Sequence, residues 1–401
     1  MDKKTAEKYL EKFEKELYGS VEPFWTNYGM DKKYGGITTC LDRYGKVYST
    51  DKGVWQQGRA AYLYSLLYKK HKDRTNYREA ALSCLNFLEK YCISGDGRMY
   101  FTVTKEGLPL RKRRYYFSET FYIIACAEYY AATGEKEYLD RAVKYYDFVL
   151  KIYRGEIADP FYMPPKTIPE TRRTFSFGEP MILLNVTHVL KNADSANAAR
   201  YNAEAKSLLG DIFGRFYHDD SGLITETAAA DGKPDMNVAA YRIVNPGHSL
   251  EASWFIYNES IYSGDKTIAE KAEKIFAAAL NIGWDKEYGG IFYFKDVEGK
   301  PIEAYEHDMK LWWPHNEAII ASLLMYKNTG KKEYEDWFYK LCDYAFSAFS
   351  DPAYGEWFGY LRRDGKPTEP PCKGHTYKGF FHVARMLDTC IELLKDITNG
   401  Q

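Results

Sequence analysis

A turn signature recurs along this chain at nearly constant spacing, and it limits the possible folds more than any other feature. Residues 31–46 read DKKYGGITTCLDRYGK, residues 285–300 read DKEYGGIFYFKDVEGK, and residues 351–366 read DPAYGEWFGYLRRDGK. Each joins an acidic turn, a glycine, an alternating apolar stretch and a second charged glycine turn, which is hairpin chemistry. Looser versions stand at 95–109 and 218–233. Glycines 36, 97, 222, 289 and 355 mark a period of 61 to 67 residues with one double gap, whose missing member falls near 155–173 in a Pro-rich stretch. Six units of about 67 residues fill the 401-residue chain.

Between the turns, apolar residues recur at i, i+3, i+4 and i+7. This predicts twelve helices, near 2–18, 54–71, 77–94, 117–133, 136–154, 177–191, 195–216, 247–264, 266–283, 313–329, 332–350 and 374–395. No linker or composition break interrupts them, so residues 1–401 are expected to form one domain. The expected architecture is all-α: a closed (α/α)6 toroid, with an inner and an outer ring and short β-hairpins on one rim. An open superhelix is the alternative; closure fits better because neither end carries a polar capping repeat.

The helices that follow the turns start WQQGRAAYLY, FSETFYII, FGEPMILL, NPGHSLEASWF, WWPHNEAII and GFFHVARML. Their first turns hold Arg59, Glu119, Glu179, His248 with Glu251, His315 with Glu317, and His382. In a toroid these positions converge on one rim, where each helix amino end adds about 0.3–1 kcal/mol of stabilisation for negative charge. Glu119 and Glu179 also suit ordinary capping. Arg59, Glu251, Glu317 and the histidines at one mouth make a candidate active site. Aromatic residues are 17% of the chain. Most such rings pack cores, although a sugar cleft draws on the same residues.

Other classes are disfavoured. Lys and Arg number 55 against 56 Asp and Glu, so no field favours nucleic acid or an anionic membrane. No run of about 18 apolar residues is present to cross a membrane. The charged start MDKKTAEKYLEKFEKEL has no apolar signal core, and seven cysteines lack CxxC spacing, which together suggest a cytoplasmic protein. GxGxxG, GxxxxGK[ST] and HExxH are absent. His248 and Glu251 form an HxxE pair, but no third ligand follows at a recognisable spacing, so no metal is expected. Glu251 is expected instead to accept the proton of one His248 nitrogen and fix its tautomer.

Longer motifs carry a resemblance. NPGHSLEASWF, GWDKEYGGIFYF, MKLWWPHNEA, DPAYGEWFGY, YKGFFHVARML and the opening FWTNYGMDKKYGGITTCLDRYGKVYSTDKGVWQQGR resemble the N-acylglucosamine 2-epimerase family, which includes the renin-binding proteins. The similarity runs over about residues 5–395. It implies an (α/α)6 barrel and interconversion of N-acetyl-D-glucosamine and N-acetyl-D-mannosamine, with one histidine on each face of C2 of the ring-opened sugar. Those histidines match His248 and His382, 134 residues apart. The physics agrees, because inversion at carbon needs a proton removed from one face and supplied to the other by groups titrating near neutrality. Arg59 suits the enediolate oxygen as an always-charged donor, while Glu251 and Glu317 would hold histidine tautomers or assist ring opening. By family position, Trp313 and Tyr377 are sugar-stacking walls and Lys310 a polar contact. The chemistry requires no cofactor; ATP as an activator and a homodimer are implied by resemblance alone.

Rival readings are an aldose–ketose isomerase or 2-epimerase acting on an unacetylated hexose or disaccharide, a glycoside hydrolase using Glu251 and Glu317, and a non-catalytic binding protein. Arg59 also has a structural reading, as an ion pair with Glu317 or Glu119. His315 is open between supporting the site and packing. His71, His188 and His218 lie outside the motifs and read as surface or packing residues.

Overall fold

The first helix of the chain finds its partner at the last. The structure is a computed structural model describing residues 1–112, 116–157 and 167–400. Among these residues the inner ring consists of α2 (Val54–Lys70), α4 (Phe117–Thr133), α6 (Gly178–Ala193), α8 (Pro246–Ser263), α10 (Trp312–Thr329) and α12 (His382–Thr398). Five outer helices each follow an inner one: α3 (Thr75–Phe87), α5 (Lys136–Tyr153), α7 (Ala198–Arg215), α9 (Lys266–Gly283) and α11 (Lys332–Ala348). The sixth outer position belongs to α1 (Lys3–Glu16), which packs on α12. Successive inner helices pack side by side, and α12 returns to α2 through Lys70–Asp388 at 2.8 Å and the Tyr62 and Phe381 rings. This is a closed (α/α)6 toroid.

Burial separates the rings. Residues Ser118–Tyr129 of α4 and Trp312–Met325 of α10 are buried without a break, as helices covered on every side must be. Outer α9 buries only Ala272, Ile275, Phe276, Ala279, Leu280 and Gly283, a single stripe. Residues of α4, α8 and α10 end on left-handed glycines, Gly134, Gly264 and Gly330, a conformation that a Cβ disfavours.

The strands differ from expectation in one respect. The glycine turns close mostly through single bridges, such as Met30 with Ile37 and Trp284 with Ile291. The longer pairings join neighbouring units: Lys52–Gly53 with Thr102–Val103, Thr174–Ser176 with Thr227–Ala229, Ile243–Val244 with Lys295–Asp296, and Lys310–Leu311 with Tyr360–Leu361. Four inner helices start one or two residues after such a strand, so the stitching sets their amino ends on a common rim. Asp42 bridges Cys372 and closes the circle.

The last helix starts at His382 rather than near residue 374. Residues 372–381 form a bent, non-helical strap in which Gly374 and Gly379 press closely against Thr39 and Gln56. Of the missing repeat near 155–173, residues 158–166 lie outside the described residues. All seven cysteines are free thiols, and every one but Cys372 is buried. Among the described residues no helix is long and apolar enough to cross a membrane.

Candidate active site

His248 and His382 stand at the amino ends of α8 and α12, and both rings lie beside one indole. The Trp313 ring centroid lies 5.1 Å from the His248 ring and 5.9 Å from the His382 ring. Asn245 caps α8, its side-chain oxygen accepting the His248 backbone N–H at 3.2 Å. The His248 Nδ1 meets both carboxylate oxygens of Glu226, at 3.0 and 2.9 Å. His382 Nδ1 meets Glu317 Oε1 at 2.7 Å. With a carboxylate at each Nδ1, both neutral imidazoles are held as Nδ1–H tautomers, and each Nε2 is left as the basic nitrogen.

Behind His382, one Arg385 nitrogen donates to Glu251 at 2.6 Å and to Glu317 at 2.7 Å. Trp254 Nε1 donates to the other Glu317 oxygen at 2.9 Å. Both glutamates and the arginine are buried, and one guanidinium offsets part of the charge of two carboxylates.

The environments push the two imidazoles apart. Burial lowers the His248 pKa, but the adjacent Glu226 carboxylate, helped by Glu251, outweighs it and raises the net value. For His382, burial, then Arg59 and Arg385, pull the pKa well below its ordinary value, with Glu251 opposing. At neutral pH His382 is a neutral base, while His248 holds its proton more readily than a free imidazole.

Arg59 reaches the same mouth from α2. Its guanidinium sits 4.3 Å from the Phe121 ring and 4.9 Å from the Phe381 ring, and donates to the Tyr377 carbonyl at 3.2 Å. Burial lowers its pKa to about 9, with Glu251 pulling the other way. It forms no ion pair with Glu317 or Glu119; Glu119 instead takes Arg98 at 2.6 Å and is structural. Arg59 Nε is buried with no partner among the described residues. Tyr377 lies at the mouth with its ring 39% exposed, close to Trp55 and Phe101.

Two expectations change, and the open reading of His315 closes. Glu251 does not serve His248: Arg385, one turn into α12, reaches it first, and Glu226 fills the His248 role. Lys310 is no sugar contact, because it is fully buried, pairs with Asp285 at 2.9 Å and lies 3.7 Å from the Phe292 ring. His315 is structural: its Nε2 accepts from Ile291 N at 2.9 Å and its Nδ1 bonds the Leu311 carbonyl at 2.6 Å, tying a glycine turn to α10. Burial holds that imidazole neutral, with a pKa near 3.

Sequence reasoning missed Glu226 and Arg385. Arg385 sits inside the quoted GFFHVARML, three residues after His382 and so on the same helix face, which was an available signal. Glu226 lies in the looser turn at 218–233, 22 residues before His248, and no motif there singled it out. As for metals, the residues brought together are Glu251, Glu317 and His382, whose ligand atoms lie within 4.8 Å of one another. The HxxE pair of His248 and Glu251 does not form. Arg385 already bonds both glutamates, so a cation would compete with the guanidinium for the same oxygens.

The fold and this mouth place the chain among (α/α)6 toroids that include sugar epimerases and isomerases. A cellobiose 2-epimerase from Bacillus thermoamylovorans superposes with a TM-score of 0.81 at 20% identity, covering 97% of this chain and 99% of that one. A D-mannose isomerase does so with a TM-score of 0.79 at 18% identity, covering 97% of each. The sequence is more specific. The family profile for N-acylglucosamine 2-epimerase (GlcNAc 2-epimerase) matches residues 35–385. The N-acylglucosamine 2-epimerase of Bos taurus is 35% identical over 401 residues, covering 99% of this chain and 93% of that protein. The chain belongs to the N-acylglucosamine 2-epimerase family and is an enzyme of the epimerase and isomerase kind.

Proposed function

We propose that this enzyme interconverts N-acetyl-D-glucosamine and N-acetyl-D-mannosamine by proton transfer at C2 of the ring-opened sugar. One observation carries the reading: two imidazoles lie beside the same Trp313 ring, each with a carboxylate on Nδ1 and Nε2 left over. The name of the bovine relative supports the sugar pair. Neutral His382 removes the C2 proton of one epimer, and protonated His248 delivers a proton to the opposite face. The other epimer reacts through the reverse transfer. Arg59 stabilises the negative charge that develops on O1 of the enolate. Glu226 and Glu317 keep Nε2 directed at the sugar, and Arg385 keeps Glu317 from making His382 too basic. Proton transfer of this kind requires no redox cofactor.

The hydrolase alternative fits less well. Glu251 and Glu317 share one arginine nitrogen, and Glu317 also holds His382, so neither is free to protonate a glycosidic oxygen. The test is formation of N-acetylmannosamine from N-acetylglucosamine by the wild type, His248→Asn and His382→Asn. Each substitution should lower kcat by about 10²–10⁴-fold. Wild-type turnover in either variant, or a ketose product, would overturn the proposal.

A further inference from the structure

One of the three best-matched turns breaks the pattern. YGG at 34–36 and at 288–290 becomes YGE at 354–356. The third position is left-handed in all three, with φ of 71° at Gly36, 75° at Gly290 and 55° at Glu356. Among the described residues Glu356 is the only non-glycine with positive φ, and it is 1% exposed. A buried carboxylate on strained backbone persists only where its surroundings compensate, and such positions cluster at functional sites. The two glycine turns show that the turn itself needs no carboxylate.

The side chain is fully engaged. Trp25 Nε1 donates to Oε2. Oε1 accepts from Lys378 Nζ at 2.8 Å and from Trp357 N at 2.8 Å. Its backbone carbonyl accepts from Lys373 Nζ at 2.8 Å. Both lysines are fully buried, and Lys373 also pairs with Asp351 at 3.0 Å. Glu356 is the one carboxylate paired with Lys378 among the described residues.

Those lysines belong to the strap at 372–381. Lys378 Nζ donates to the Lys373 carbonyl at 2.7 Å, and the Lys378 carbonyl accepts from His375 N at 3.0 Å, drawing the strap into a loop. Gln56 holds its Thr376 carbonyl at 3.0 Å, and Arg59 its Tyr377 carbonyl at 3.2 Å. A Cβ on Gly374 would lie 2.2 Å from the Thr39 carbonyl, so the strap has little room to shift. Four residues after Lys378, α12 begins at His382.

We propose that Glu356 is a positioning residue for the reaction: through Lys378 it sets the course of the strap, and so the placement of the Tyr377 carbonyl against Arg59 and of the His382 imidazole. This rests on the C2 proton-transfer reading above. A glutamate occupies a glycine position here because Lys378, buried at the mouth, needs an anion that only this turn supplies.

The decisive variant is the double substitution Glu356→Gly with Lys378→Met. Glycine relieves the backbone, and methionine removes the ammonium that would otherwise be buried unpaired, so the variant retains its fold. Its kcat should fall about 10–100-fold, the usual effect of a small misplacement of catalytic groups, with a smaller change in KM. The ¹⁵N imidazole resonance of His382, identified by its absence from His382→Asn, should also move. Glu356→Gln, which keeps the shape and loses the charge, should show the same changes to a smaller degree. Wild-type kcat and an unmoved His382 resonance in the folded double variant, or in folded Glu356→Gln if the double variant does not fold, would overturn the inference. If the wild type epimerises no N-acetylglucosamine, the functional reading fails instead, and the His382 resonance still decides the positioning role.

Discussion

Glu226 and Glu317 make the same bond to an imidazole Nδ1, yet the two histidines differ because of what surrounds each pair. Among the described residues Glu226 meets His248 with no arginine bonded to it, whereas Glu317 is shared between His382 and Arg385. This difference gives a pH profile with a definite sign. The base must be neutral, so activity is lost as pH falls through the His382 pKa, which lies well below the ordinary imidazole value of 6.5. The acid must be protonated, so activity is lost as pH rises through the His248 pKa, which lies above 6.5. A bell straddling 6.5 is expected in both reaction directions. In Glu226→Gln the largest raising influence on His248 is gone, so the alkaline limb of kcat/KM should move to lower pH while the acid limb stays. An unmoved alkaline limb would refute the pairing. His248, His382, Arg59 and Glu317 were legible in the sequence because each opens an equivalent helix of the repeat. Glu226 was not, because it lies in the turn 22 residues before His248 rather than at the helix position that repeats, and only folding of the turn against α8 joins them.

At the scale of elements, close approach of α8 to α10 sets the Trp313 ring beside the two histidines. A Cβ on Gly247 would lie 2.7 Å from the Trp313 ring and 2.8 Å from Pro314. Gly247→Ala therefore has to displace Trp313, at about 1–3 kcal/mol of overpacking. Its kcat/KM should fall about tenfold or more, with an altered near-UV circular dichroism band; unchanged kinetics would show that Trp313 is not a wall of the site. The twelve helices were legible from apolar periodicity, since each ring needs a stripe or a full apolar surface. The strap at 372–381 was not. Its aromatic residues match a helical period, whereas the close packing of Gly374 and Gly379 on a distant part of the chain is invisible to that period. Lys310 misled for a similar reason, because its partner Asp285 lies 25 residues earlier, in the turn at 285–300.

On the scale of the whole molecule, closure of the ring joins function to stability. The helix that carries His382 and Arg385 has α1 as its outer partner, so this side of the candidate site is backed by the chain's first helix. Phe13 of α1 is fully buried and meets the Phe338 and Phe346 rings of α11. Phe13→Ala should destabilise the protein by about 3–5 kcal/mol, seen as a lower melting temperature with KM unchanged at 25 °C. A wild-type melting temperature would mean that α1 adds little to closure. The sequence period predicted six units and a closed circle, but the pairing of α1 with α12 is a long-range consequence that no local pattern encodes.

The claim at the centre is that a proton leaves and returns at C2, and proton NMR in deuterated water reads that atom directly. Incubated with N-acetylglucosamine, the enzyme should produce N-acetylmannosamine carrying deuterium at C2. N-acetylmannosamine that retains its original C2 proton when exchange is permitted, a ketose product, or no reaction at C2 would contradict the two-histidine mechanism on this substrate.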